Sequence, residues 1–234
     1  VLTDFFLRID FSKILSFKKK RITMIRIYKS EERRILENNG LRIISLTKDR
    51  NFFPLRSIDD VAINDLEVYP KKIDSDGYLV IIPLLNNICL KWNGIVWNLE
   101  ANQLFVNYLK KEDQLEIVGA HETDFSYFLT FFLELDYLPI RKSIIPIDLD
   151  KNNKLHTIIR HDLFNLYLGK FDLRKERDFP YKKKDRKWLA MSITGAFEVY
   201  NRLLESRDSL LIETSEIVDF ESLSDQSLML LLEY

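Results

Sequence analysis

The sequence predicts an all-β protein built from two barrels in tandem, and three observations carry that prediction. Short β-type runs recur at close spacing from Met24 onward, broken by Asn, Asp, Gly and Lys, which is the mark of a sandwich or barrel. One run, Phe125 to Leu135 (FSYFLTFFLEL), is apolar on both alternating faces and is expected to be buried on both sides. The order of runs then repeats after a Pro-bearing connector, Tyr137 to Pro146.

In the first half, Tyr78 to Leu85 is followed by Asn86-Asn87, Ile88 to Trp92, Asn93-Gly94 and Ile95 to Leu99. Asn-Gly supplies the positive φ angles of a type I′ turn, so the runs on either side of it are expected to pair antiparallel. The second half offers Leu163 to Phe171, Trp188 to Thr194, Ala196 to Tyr200, Ser209 to Ile212 and Ser227 to Glu233. Only six glycines serve all these turns, and Asn is expected to stand in for glycine. The expected organisation is an N-terminal extension over residues 1–23, one barrel over 24–138 and a second over 139–234.

Composition narrows the function classes. With 234 residues, 46% hydrophobic and 30% charged, the chain can bury a real core and is neither low-complexity nor fibrous. A net charge of -1 creates no overall field toward nucleic acid or anionic lipid, so neither is an expected partner. One cysteine, Cys89, excludes an internal disulfide and suits a reducing compartment, so a cytoplasmic location is expected. The first 23 residues place apolar residues ahead of the basic run Lys18 to Arg21, the reverse of a secretion signal; an extension ahead of the folded part is expected there, with an amphipathic surface helix as the alternative.

The layout and several motifs resemble the pirin family, whose members are bicupins made of two double-stranded β-helix barrels. Met24 to Arg33, followed by Gly40-Leu41, is similar to the family's opening, and Tyr78 to Leu85 with Asn87 to Trp92 falls on two of its N-terminal strands. Phe125 to Leu133 resembles the apolar strand leaving the first cupin. The stretch from Ala196 through Asp208 and Ile212 to Leu230 resembles a cupin ending.

The resemblance implies an Fe(II) site in the first barrel, formed by a His-x-His pair and a later His-x-Glu pair. Carried across, the first pair falls on Ile73 and Ser75 and the second on Gln114 and Glu116. Only Glu116 remains a ligand type, so no metal or other cofactor is expected, and with it no quercetinase-type dioxygenase chemistry. The expected function is binding of a small molecule or a protein partner, the cavity being lined by Ile73, Ser75, Tyr78, Gln114, Glu116 and Phe128, with Glu116 as its polar anchor. The alternative is a divergent cupin dioxygenase or isomerase with a rearranged site.

Other constellations read as structural. His156 and His161 lack metal-pair spacing, and Cys89 is expected to be a buried, inert thiol rather than a nucleophile beside His121. Trp92 and Trp97 flank the Asn93-Gly94 turn and are expected to pack across the strands. The basic run Lys182 to Lys187 reads as a solvated edge. Asp74, Asp76, Glu116 and Glu122 form no expected cation site. There is no Gly-rich phosphate loop.

Overall fold

The structure, a computed structural model, describes residues 24–38, 40–46, 52–65, 67–120, 124–180, 186–214 and 217–234. The N-terminal extension, His121, Glu122 and most of the basic run at 182–187 therefore lie outside the described residues.

Among the described residues the strands form four sheets, two for each barrel. The first barrel sets a seven-stranded sheet against a four-stranded one. The larger contains Gly77–Leu85, Ser126–Leu133 and Leu55–Ile63 at its centre; the smaller contains Val68–Lys72, Gln114–Gly119, Ile88–Trp92 and Ile95–Leu99. The second barrel sets a six-stranded sheet, centred on Trp188–Thr194 and Ser227–Glu233, against a four-stranded one. All the ladders are antiparallel, as hairpin-rich chains produce.

Period-two alternation explains why the central strands have almost no polar face. Along Gly77–Leu85, Leu79 and Ile81 point into the first barrel, whereas Tyr78, Val80 and Ile82 point outward into a separate core. Ser126–Leu133 does the same, with Phe128 and Phe132 inward and Leu129, Phe131 and Leu133 outward. In the second barrel Trp188 and Ala190 face in while Leu189, Met191 and Ile193 face out. The outward rows of the two large sheets pack on each other, so the double burial expected over Phe125 to Leu135 holds for residues 128–133, with barrel interior on one side and the partner barrel on the other, while Phe125 is exposed and Tyr127 half-buried.

Strand pairing crosses the expected division at residue 138 in both directions. Met24–Tyr28 pairs with Ser209–Glu213 at the edge of the second barrel's sheet, and Ile144–Pro146 pairs with Gln103–Leu109 at the edge of the first barrel's sheet. Each half of the chain thus lends an edge strand to the other. Edge strands need only one free ladder, and local sequence says nothing about which sheet supplies it.

The Asn93-Gly94 hairpin forms as expected, with φ of 49° and 74° at the two turn residues and Trp92 opposite Ile95. A Cβ at Gly94 would meet nothing within 4 Å, so only the backbone opposes a side chain there. Gly94→Ala is expected to cost about 1–2 kcal/mol by urea denaturation, the left-handed penalty alone. Besides the hairpin's own Asn93, Asn fills three other positive-φ positions among the described residues, Asn86, Asn153 and Asn201. Trp92 and Trp97 stack at 5.9 Å between ring centroids. Cys89 is half-buried rather than buried, since it alternates onto the outer face between Ile88 and Leu90.

Candidate functional site

A cleft of about 530 Å³ opens at the mouth of the first barrel, between Leu55–Ile63 and Val68–Lys72. Its apolar wall is Phe53, Leu55, Ile73 and Phe132; Arg56, Lys72, Asp74, Ser75 and Glu134 form the rim. Asp59 and Lys71 stand on its floor.

The floor is a polar network inside an otherwise apolar barrel. The Asp59 carboxylate is 6% exposed and accepts from Lys71 Nζ at 2.5 Å, from Ser45 Oγ at 2.7 Å and from Tyr69 Oη at 2.9 Å. Thr130 Oγ1 lies 3.4 Å away on the neighbouring strand. Register brings these groups together: Ser45 and Thr130 are both direct cross-strand partners of Asp59. Burial pushes the Asp59 carboxyl up, but the Lys71 charge and the hydrogen bonds from Lys71, Ser45 and Tyr69 outweigh it and hold the group below its ordinary value. Burial, and then the adjacent Asp59 charge, push the Tyr69 phenol well above 10. Lys71 also donates to Ser57 Oγ at 3.2 Å. The network is a closed charge pair with its hydrogen bonds satisfied, which fixes the floor rather than arming it.

At the rim, Glu134 accepts from Arg56 Nε, and this bond holds its carboxyl below the ordinary value against desolvation, with help from Ser75. The loop carrying Ile73 is pinned from both sides, Ile73 N donating to Asp113 O at 3.0 Å and Glu112 N to Ile73 O at 2.8 Å.

The residues expected to line a cavity separate into three groups. Ile73 and Ser75 do line the cleft, and Phe128 is fully buried in the barrel interior, edge-on to Tyr69 at 5.8 Å. Tyr78 lies on the opposite face of its strand, in the core between the barrels, where its hydroxyl donates to the Leu138 carbonyl and accepts from Leu138 N at 2.6 Å. Gln114 and Glu116 are exposed, because their strand alternates with Leu115 and Ile117 pointing inward. Glu116 is therefore not an interior anchor: a shift of one residue reverses every side chain of a strand, and the apolar pair decides which face is buried.

Asp59, Lys71 and Tyr69 were not singled out by the sequence reasoning. The available signal is Asp59-Asp60 within the apolar run Leu55 to Ile63, and Lys71 two residues after Tyr69, which puts both on one face of a strand.

The donors present do not fit an imidazole-rich iron site. Ile73 offers none and Ser75 a neutral hydroxyl, Glu116 points away, and the oxygens of Asp59 and Glu134 are held by Lys71 and Arg56. Among the described residues no three His, Cys, Asp or Glu side chains converge. Asp76 accepts from Lys110 Nζ at 3.0 Å and from Lys111 N at 2.8 Å. His156 contacts the Lys151 carbonyl, and His161 packs on Tyr78 and Phe164, so both serve structure. No described helix is long and apolar enough to cross a membrane.

Comparison with known proteins agrees with this architecture. Residues 150–233 match the family of quercetinase C-terminal cupin domains. YhhW from Escherichia coli superposes with a TM-score of 0.75 at 15% identity, covering 90% of this chain and 97% of that one. The same bacterial pirin in complex with nickel(II) gives 0.72 at 15% identity over 90% and 98%. Quercetin 2,3-dioxygenase from Acinetobacter baumannii gives 0.68 at 14% identity over 89% and 85%. No sequence among the curated proteins matches this chain. With its two barrels packed sheet to sheet, the chain has the tandem-cupin fold of the bacterial pirin YhhW, and its residues 150–233 match the quercetinase C-terminal cupin domain.

Proposed function

We infer that the chain is a non-catalytic binding protein that takes a small amphipathic molecule into the cleft of its first barrel. The observation that carries this reading is the Asp59–Lys71 pair, a closed, hydrogen-bonded charge pair on the floor of a cleft lined by Ile73 and Ser75, the positions to which the pirin resemblance assigns imidazole ligands. A ligand there meets an apolar wall at Phe53, Ile73 and Phe132 and hydroxyls at Ser57 and Ser75, the mixture typical of small-ligand sites. The competing reading, a divergent cupin dioxygenase, draws on the quercetinase match of the second barrel and on the quercetin dioxygenase neighbour.

Elemental analysis of the purified chain, combined with quercetin turnover assays, separates the two. The expected result is less than stoichiometric Fe, Ni, Mn and Zn and no quercetin oxidation, with a thermal-shift screen yielding ligands whose stabilisation is lost in Ile73→Arg. One tightly held iron or nickel per chain, or turnover that metal addition restores, overturns the binding-protein reading.

A further inference from the structure

A second groove, of about 420 Å³, lies on the outer face of the first barrel where the Arg207 turn of the second barrel meets it. It lies on the opposite face of Leu55–Ile63 from the barrel-mouth cleft, shares no lining residue with it, and is independent of the reading given to it. Its floor follows from cross-strand register on the outer face of the large sheet. Arg42, Ala62 and Tyr127 are direct neighbours on three adjacent strands, and the next row holds Ile44 beside Asp60. Ala62, small and flanked by two long side chains, leaves a hollow between Arg42 and Tyr127.

At one end of this hollow the guanidinium donors outnumber the acceptors that reach them. Three guanidinium groups, Arg207, Arg33 and Arg42, surround the single carboxylate of Asp60, which is 8% exposed. Arg207 Nε meets Asp60 Oδ2 at 3.2 Å, yet Arg207 Nη1 is buried with no partner among the described residues. Arg33 is 7% exposed; one of its terminal nitrogens bonds Ser209 Oγ at 2.8 Å and the Arg207 carbonyl, while Nε and Nη1 have no partner among the described residues. Of the other nearby acids, Glu37 lies at 3.8 Å from Arg42 Nε, and Asp208 is committed to Lys29 Nζ at 2.7 Å, Ser30 N at 2.8 Å and Glu205 N at 3.0 Å. Burial lowers the Arg33 guanidinium to about 10 against the pull of Asp60 and Asp208. Buried donors left unmade are costly, and native proteins rarely keep three together without something to receive them. Arg207 itself sits at φ 72°, a conformation a non-glycine residue adopts at a cost, and this places its side chain over the groove.

We propose that this groove binds a small organic carboxylate, its oxygens on Arg207 with the Arg33 charge behind them and its flat apolar body seated on Ala62 between Arg42 and Tyr127. Guanidinium donors match a carboxylate's planar pair of oxygens, and the apolar floor favours an aromatic or short aliphatic acid over an inorganic anion. The ligand would then bridge the two barrels, since Arg207 belongs to the second and the remaining walls to the first.

Titration calorimetry of the full chain with benzoate, with benzamide as the uncharged isostere, tests this. The expected result is saturable benzoate binding with a Kd of about 1 mM or tighter, at least tenfold weaker binding of benzamide, and at least tenfold weaker benzoate binding in Arg207→Met. Ala62→Leu fills the hollow without touching the charged seam, is expected to abolish benzoate binding, and decides the matter alone if Arg207→Met lacks a cooperative melt. Absence of saturable benzoate binding to the unmodified chain, equal affinity for benzamide, or undiminished binding in a folded variant overturns the proposal.

Discussion

Asp59→Ala is expected to remove about 3–5 kcal/mol of stability, read from urea denaturation, because it leaves the Lys71 ammonium unpaired in a site where the lysine is only 13% exposed. Adding Lys71→Met to that variant is expected to return part of the loss, since an apolar pair of similar volume avoids the desolvation that the lone charge suffers. Tyr69→Phe, which removes one of the carboxylate's donors, is expected to cost about 1 kcal/mol. The pH dependence distinguishes Asp59 from its neighbour Asp60. Asp59 titrates below its ordinary 3.8 in the folded chain, so its contribution is present above pH 3.8 and is lost as pH falls through the lower folded value. Asp60 is raised by burial against the pull of Arg207, Arg33 and Arg42, so its contribution has the opposite sign, full below 3.8 and lost as pH rises through the higher folded value. Asp59→Asn is therefore expected to flatten the acid limb of the stability curve, and Asp60→Asn to leave that limb in place. An acid limb unchanged in Asp59→Asn contradicts this assignment.

Phe131→Ala is expected to lower the stability of both barrels together, by about 3–5 kcal/mol. The ring is fully buried, and it lies in the core shared between the large sheets with Val80 and Leu129 from the first barrel and Leu189, Met191 and Leu230 from the second. Each barrel also holds an edge strand from the other half of the chain, so neither can unfold without breaking a ladder in its neighbour. Differential scanning calorimetry is expected to show one transition in the unmodified chain and one, shifted down, in Phe131→Ala, with calorimetric and van't Hoff enthalpies in agreement. Two resolved transitions in the unmodified chain contradict the shared-core account.

The contrast between what the sequence discloses and what it hides follows from the range of each signal. The Asn93-Gly94 hairpin is legible because the turn's backbone demands are local, and the double burial of Phe128 to Leu133 is legible because both parities of one strand are apolar. Gln114 and Glu116 were misplaced because the family resemblance aligns positions but does not fix parity, whereas Leu115 and Ile117 do. Tyr78 was placed in the barrel for the same reason, one residue from Leu79, which is there. The Asp59 network was invisible because its members come from four strands, and only the folded register makes Ser45, Tyr69, Lys71 and Thr130 neighbours of one carboxylate. The edge-strand exchange was hidden on the same grounds, Met24–Tyr28 being an ordinary β run whose partner lies in the last quarter of the chain.

That exchange sets an order on synthesis. Of the described strands a ribosome releases Met24–Tyr28 first, but its ladder partner Ser209–Glu213 follows only about 180 residues later, so the strand has no sheet to join while the first barrel's own strands are already emerging. The first barrel's interior around Leu79, Ile81 and Phe105 is supplied by strands made early, yet its outward row of Tyr78, Val80 and Phe131 stays uncovered until the second barrel arrives. For that interval the nascent chain carries a broad sticky sheet face and a free opening segment. The strands from Ser209 onward therefore do two jobs at once, closing the second barrel and retrieving the earliest strand of the described chain.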